Sequence, residues 1–220
     1  MYEVAEKFVS INGEGMKAGQ LAAFIRFKGC NLNCSYCDTL WAKEENCKTE
    51  KLSKEDIYAF ALSTGARNIT LTGGEPLTVE GIETLIEYLS HFEDIRTEIE
   101  TNGSKDISFT KKYKNRPSVT LDYKTPSSGM EKYMLMSNYE YVDKGDCVKF
   151  VCGSREDLEK SRQITDFYRL RERTNVYIST VFGSLTPREA VEYLIENKLR
   201  DVNIQLQLHK YIWAPDTKGV

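Results

Sequence analysis

Three of the six cysteines, Cys30, Cys34 and Cys37, fall within eight residues at the spacing C-x3-C-x2-C, while Cys47, Cys147 and Cys152 are scattered. Thiolates so placed can reach one metal centre from a single loop, and soft sulfur ligands select zinc or iron–sulfur over magnesium or calcium. What sets the chemistry is the fourth ligand. A structural zinc site is closed by four protein ligands, and no second C-x2-C or Cys/His pair follows, so only Cys47, ten residues past Cys37, could close one here. A [4Fe–4S] cluster held by three thiolates keeps one iron open, and an open position distinguishes a catalytic metal site from a structural one.

Other residues able to do chemistry collect at a repeated place in the pattern. After residue 20 the chain alternates short β-branched or aromatic runs with longer helical patterns, the sign of βα units about a parallel sheet. Strands are expected at 22–27, 68–71, 96–100, 118–121, 148–151, 176–179 and 202–206. Several run into polar or glycine-rich segments: Gly29-Cys30, Thr72-Gly73-Gly74-Glu75-Pro76, Glu100-Thr101-Asn102-Gly103, Asp122-Tyr123-Lys124 and Gln207-Leu208-His209-Lys210. Barrels and open α/β sheets gather their active sites at these carboxyl ends. Ser53, Ser154 and Thr186, each with an acid three residues on, open helices as capping boxes, and Ile82, Leu85, Ile86 and Leu89 form the core stripe of another. Too little chain remains for a full barrel. The expected fold class is α/β, a partial (open) TIM-like barrel of about six βα units with parallel strands, with an open doubly wound sheet as the alternative, and residues 1–220 forming a single domain.

Along the first of these strands Phe24, Arg26 and Lys28 share one face and Ala23, Ile25 and Phe27 the other. If the apolar face packs on the outer helices, Arg26 points into the lumen. An unpaired guanidinium there is costly, and a substrate carboxylate would relieve the cost.

The 220 residues, 40% of them apolar, suffice for a core. Thirty Lys and Arg stand against thirty-three Asp and Glu for a formal charge of −3, and the only dense basic run is Lys111 to Arg116, which disfavours nucleic acid as a partner. The first residues lack a basic start and an apolar stretch, and no segment approaches the length of a membrane span. A soluble, cytoplasmic protein is expected. The cytosol keeps thiols reduced, so the cysteines are not read as a disulfide frame.

The loop Cys30-Asn31-Leu32-Asn33-Cys34-Ser35-Tyr36-Cys37, with Tyr36 before the last cysteine, and the segment Gly73-Gly74-Glu75-Pro76 resemble the cluster loop and GGEP motif of the radical S-adenosylmethionine superfamily. Ser10 to Gly15, Phe24 to Cys30, Cys37-Asp38-Thr39 and Gln207 to Lys210 further resemble the 7-carboxy-7-deazaguanine synthase family, nearly end to end. That resemblance implies a [4Fe–4S] cluster on Cys30, Cys34 and Cys37, whose open iron binds S-adenosylmethionine and cleaves it to a 5′-deoxyadenosyl radical. The implied reaction contracts 6-carboxy-5,6,7,8-tetrahydropterin to 7-carboxy-7-deazaguanine with loss of ammonia, in the biosynthesis of queuosine-type deazapurines.

It also implies roles for individual residues. S-adenosylmethionine would meet Tyr36, Cys37, Asp38, Gly74, Asp122, Tyr123 and Lys124, and the pterin would meet Ile11, Asn12, Gly13, Arg26, Thr72, His209 and Pro215. Arg26, Glu100 and Lys124 would be catalytic, Glu100 as a proton relay. Thr39 would bind Mg²⁺, an ion that completes its shell from water and substrate oxygens. An electron donor such as flavodoxin or ferredoxin and a homodimer are implied as well. The sequence departs from the family in reading Ile-Asn-Gly where many relatives carry Leu-Gln-Gly, and Asp122-Tyr123-Lys124 where relatives often show Ser-Pro-Lys. The tail Tyr211 to Asp216 would roof the pocket or pack a dimer. Two rival readings are an activating enzyme that places a glycyl radical on a partner protein, which needs an exposed docking surface, and a non-catalytic zinc-binding module using Cys30, Cys34, Cys37 and Cys47.

Overall fold

A computed structural model describes residues 1–214 and 217–220. Its strands are β1 (Tyr2–Ile11), β2 (Leu21–Phe27), β3 (Glu50–Leu52), β4 (Asn68–Gly73), β5 (Arg96–Thr101), β6 (Ser118–Tyr123), β7 (Cys147–Cys152), β8 (Asn175–Thr180) and β9 (Val202–Ile204). They form one sheet in the order β3-β1-β2-β4-β5-β6-β7-β8-β9. From β2 to β9 all neighbours are parallel, whereas β1 pairs antiparallel with both β2 and β3. The two ends of the order do not meet, so the barrel is open.

The seven expected strands are all present, most of them one or two residues longer. β1 and β3 were not expected. Helices α1 (Lys54–Ser63), α2 (Ile82–Leu89), α3 (Arg155–Phe167), α4 (Leu170–Arg173) and α5 (Pro187–Glu196) cover the outside, while α6 (His209–Ile212) turns its first residues toward the lumen. The β5–β6 and β6–β7 crossovers hold only 3-10 turns, among them 108–112 and 136–140, which bury Thr110 and Tyr139. Reciprocal capping boxes form at Ser53 and Thr186. At Ser154 only half the box forms, because the Asp157 carboxylate accepts from Gly153 N and Ser127 N instead.

The alternation of side chains along each strand divides the sheet into two faces. Ala23, Ile25, Phe27, Ile69, Leu71 and Ile99 pack outward with Ile57, Leu85 and Leu89 of α1 and α2. Val119, Leu121, Val148, Phe150, Val176 and Ile178 form a second cluster with Leu158 and Leu170. The opposite face is polar: Phe24 and Arg26 on β2, Thr70 and Thr72 on β4, Glu98 and Glu100 on β5, Thr120 and Asp122 on β6, and Lys149 on β7.

The loop from Asn12 to Gln20, between β1 and β2, runs into this lumen. Thr70 donates to Asn12 Oδ1 at 3.0 Å, Glu14 pairs with Lys149 at 3.1 Å, Gly15 exchanges two bonds with the Gln205 amide, and Lys17 donates to Ser118 at 2.7 Å. One loop thus ties β4, β6, β7 and the segment after β9 together across the opening. The basic run is spent on acids nearby: Lys111 and Arg116 on Asp143, Lys112 on Glu83 and Lys114 on Glu93. Among the described residues no helix is long and apolar enough to cross a membrane.

Candidate active site

The clustered cysteines sit on the loop leaving β2. Gly29 turns the chain with φ +89°, in the left-handed region that favours glycine. The exit of β4 packs on that turn backbone to backbone: Glu75 N donates to Gly29 O at 3.0 Å, and a Cβ on Gly74 would lie 2.0 Å from Gly29 O and 2.6 Å from Cys30 Cβ. The Gly73-Gly74 pair therefore seats the cysteine loop. Glu75, fully buried, accepts from Thr101 Oγ1 at 2.8 Å and Asn102 N at 2.6 Å, and burial pushes its carboxyl up to about 6. Further round the loop, Ser35 donates to Ser127 O and Ser128 O, Tyr36 donates to Val151 O, and Lys43 donates to Leu32 O.

Cys30, Cys34 and Cys37 line one wall of a cavity of about 630 Å³. Cys47 does not line it; its thiol lies 3.6 Å from Lys48 O. Among the described residues no three Cys, His, Asp or Glu side chains converge as ligands of a single ion must. With Cys47 off the cavity wall, the zinc module is not favoured. A [4Fe–4S] cluster asks for something else, since each thiolate binds a different iron. The surroundings fit it. The Asn102 amide donates toward Cys30 Sγ at 3.7 Å, and although burial pushes the Cys34 thiol up, the Lys124 ammonium works the other way, as a thiolate site needs.

Beside the cysteine loop runs a largely buried charge network. Lys124 lies 2.8 Å from Asp122, and Lys149 lies 3.3 Å from Asp122 and 3.1 Å from Glu14. Glu14 also accepts from Ser179 and Gln207. Burial works against both carboxylates, but the lysines hold Asp122 and Glu14 below their ordinary range. Glu100 is left over. Burial is the main cause that raises its carboxyl to about 7, with Lys149 opposing and Glu98 reinforcing the rise.

Near the mouth, Arg26 points inward as its strand position requires, but it is not alone. Its Nε donates to Glu6 Oε2 at 3.1 Å, and its guanidinium lies 5.9 Å from the Phe8 ring, itself stacked on Phe24. The Thr39 hydroxyl donates to Asp38 at 2.9 Å, whose other oxygen faces Lys210 at 3.6 Å. Burial pushes the His209 imidazole down, toward the neutral form. Gly13 lies against that ring so closely that a Cβ would come 2.2 Å from Nδ1.

A sequence model of the Radical SAM superfamily matches residues 24–145, from β2 through the cysteine loop to the end of the β6–β7 crossover. The 7-carboxy-7-deazaguanine synthase of Clostridium acetobutylicum is 50% identical over 219 residues, covering 100% of this chain and 99% of that protein. The chain belongs to the 7-carboxy-7-deazaguanine synthase family. The 7-carboxy-7-deazaguanine synthase of Chlorobaculum tepidum is 31% identical, over 99% of this chain and 96% of its own. The crystal structure of QueE from Escherichia coli superposes with a TM-score of 0.69 at 22% identity, covering 93% of both chains, and so shares the fold. Membership of the superfamily implies a [4Fe–4S] cluster and S-adenosylmethionine as cofactors.

Most residues that the family resemblance marks line the one cavity: Ile11, Gly13, Arg26, Tyr36, Asp38, Thr39, Thr72, Gly74, Glu100, Asp122, Lys124 and His209 join the three cysteines there. Two do not. Tyr123 points outward into the second apolar cluster, its hydroxyl on Glu131, because alternation sends it to the face opposite Asp122. Asn12 is 1% exposed and lies beneath the cavity on Thr70, its side chain not reaching the cavity wall. Pro215 lies outside the described residues. Tyr211 and Ile212 of the tail are exposed, and Thr217 to Val220 line the cavity instead, with the Lys218 ammonium 4.3 Å from the Trp41 ring centroid. Sequence reasoning missed Glu6, Glu14 and Lys149. The last carries a readable signal, a lysine inside the otherwise apolar run Val148 to Val151.

Proposed function

We propose that the protein contracts the ring of 6-carboxy-5,6,7,8-tetrahydropterin to 7-carboxy-7-deazaguanine with loss of ammonia, a step toward queuosine-type deazapurines. The observation that carries this reading is that one cavity joins a three-cysteine loop, with no fourth cysteine on its wall, to the half-buried Arg26 and to Glu100. When bound, the [4Fe–4S] cluster on Cys30, Cys34 and Cys37 and S-adenosylmethionine supply one-electron cleavage and hydrogen abstraction. Tyr36, Cys37, Asp38, Gly74, Asp122 and Lys124 hold the sulfonium cofactor along the loop and the ends of β4 and β6.

Arg26 binds the substrate carboxylate through its terminal amino groups, Glu6 occupying Nε. Ile11, Gly13, Thr72 and the neutral His209 bind the pterin ring. Glu100, near neutrality, donates a proton to the departing nitrogen and takes one back. Thr39 is the protein ligand of Mg²⁺, whose remaining ligands are water and substrate oxygens; its hydroxyl donates to Asp38 and keeps its lone pairs free. A flavodoxin or ferredoxin as electron donor and a homodimer complete the reading.

The glycyl-radical alternative is not favoured, since Arg26 is enclosed in a cavity that suits a small anion better than a protein loop. The test is anaerobic turnover by the iron-replete protein with reductant, S-adenosylmethionine, Mg²⁺ and the carboxypterin. Deazapurine should form, and its absence with an intact cluster refutes the assignment.

A further inference from the structure

Beneath Glu100 the lumen continues into a layer of buried polar groups that do not satisfy one another. Ser10 Oγ, Asn12 Nδ2 and Glu98 Oε2 are buried and have no hydrogen-bond partner among the described residues. They come from β1, the loop after it and β5. Thr70 joins two of them: it pairs with Glu98 in the register and its hydroxyl donates to the other end of the Asn12 amide, while Ser10 lies one row lower, opposite Ala22 and Asn68. One orphan is a donor, one an acceptor and one both, and between Ser10 and Asn68 the row holds only the methyl group of Ala22. Buried polar atoms left over in such numbers are satisfied by ordered water.

This layer touches Glu100 above and solvent below. Thr120 stands beside Glu100 in the register and donates to Glu98 Oε1 at 2.7 Å, and Glu98 is two residues from Glu100 on the same face. On the lower side Lys17 Nζ lies 3.5 Å from Glu98 Oε2, with its side chain 15% exposed. The other polar or charged groups facing Glu100 are Thr72, Asp122 and Lys149. We propose that ordered water held by Asn12 and Glu98 lies under the cavity floor and, with Thr120 and Lys17, passes protons between Glu100 and the solvent below the barrel. The use of this route rests on the reaction assigned above. Ammonia released at neutral pH leaves as ammonium, so each turnover takes up one proton from solvent. With the pterin filling the mouth, that proton enters from beneath, past Lys17 and Glu98 and along the water to the Glu100 carboxylate.

Two measurements decide it. A high-resolution crystal structure of the ligand-free protein should place water within hydrogen-bond distance of Glu98 Oε2 and Asn12 Nδ2, and a floor closed by protein atoms alone overturns the proposal. Second, the infrared carboxyl band of Glu100, identified by its loss in Glu100→Gln, is followed after transfer to D₂O with 6-carboxypterin filling the cavity. Asn12→Leu, which fills the water position, and Lys17→Met should each slow exchange by about tenfold or more, equal to about 1.4 kcal/mol in the barrier. Exchange as fast as wild type in both folded variants overturns the route. If 6-carboxypterin fails to bind the wild type, the assigned reaction fails instead, and the water positions still judge the floor.

Discussion

Two ammonium groups, Lys124 and Lys149, face three carboxylates, Asp122, Glu14 and Glu100, in the buried wall of the cavity. The first two carboxylates are neutralised by the lysines, and the third, Glu100, is left with its carboxyl raised to about 7. Glu100→Gln should lower turnover by about 10²- to 10⁴-fold with substrate affinity little changed, as expected for a lost acid–base group; steady-state kinetics separate the two. The same group leaves a mark on stability. Its folded-state value near 7 lies above the ordinary 4.5, so its favourable contribution is complete below pH 4.5 and is lost as pH rises through about 7. Relative to Glu100→Gln, the wild type should lose up to about 3 kcal/mol across that window and nothing further above it, read from urea midpoints. Gly13→Ala should push His209 away from the cavity and weaken carboxypterin binding by about tenfold, or 1.4 kcal/mol, with a smaller effect on Tm. At this scale Arg26 was legible because strand alternation alone aims it inward. Its partner Glu6 was not, since nothing local announces which strand will lie beside β2.

The cysteine loop draws its rigidity from elements well outside it. Asp157 in the first turn of α3 holds Ser127 N and Gly153 N, and Ser127 and Ser128 in turn receive Ser35. Asp157→Ala removes two charge-assisted hydrogen bonds to part-buried N–H groups, which costs about 1–3 kcal/mol in all. The expected outcome is a lower Tm together with fewer irons retained after reconstitution, whereas Ser53→Ala at the α1 cap should cost about 1 kcal/mol and leave iron content unchanged. Helices with capping boxes and a clear apolar stripe, such as α2, could be read from sequence because the signal is local. β1 could not: it is a strand whose register slips between Val4 and Glu6, so its apolar and charged residues do not alternate cleanly. The 3-10 crossovers around β6 carry no periodic stripe, and their buried residues are fixed by tertiary packing.

Across the molecule, the loop from Asn12 to Gln20 does for this open barrel what missing strands would otherwise do. Its Glu14 contact with Lys149 joins the loop to β7, so breaking it should loosen the whole lumen. Lys149→Met leaves Glu14 and Asp122 short of a counter-charge in the interior and should cost about 3–5 kcal/mol, and the double variant with Glu14→Gln should recover part of that loss. Chemical denaturation of the four species measures the coupling. Open-barrel topology was legible because seven strands cannot close a ring of eight, whereas the loop from Asn12 to Gln20 reaches its partners over sequence separations of 58 to 190 residues, which no local pattern records.

Gly74 lies so near Gly29 that not even a methyl group fits between the two chains. The spacing between the sulfur loop and the exit of β4 is therefore set by main chain alone, a hard stop rather than an adjustable cushion. Redesign aimed at new substrates has freedom at the far wall, around Thr72 and His209, but almost none here: any residue larger than hydrogen at position 74 would tilt the metal carrier relative to everything it must reach.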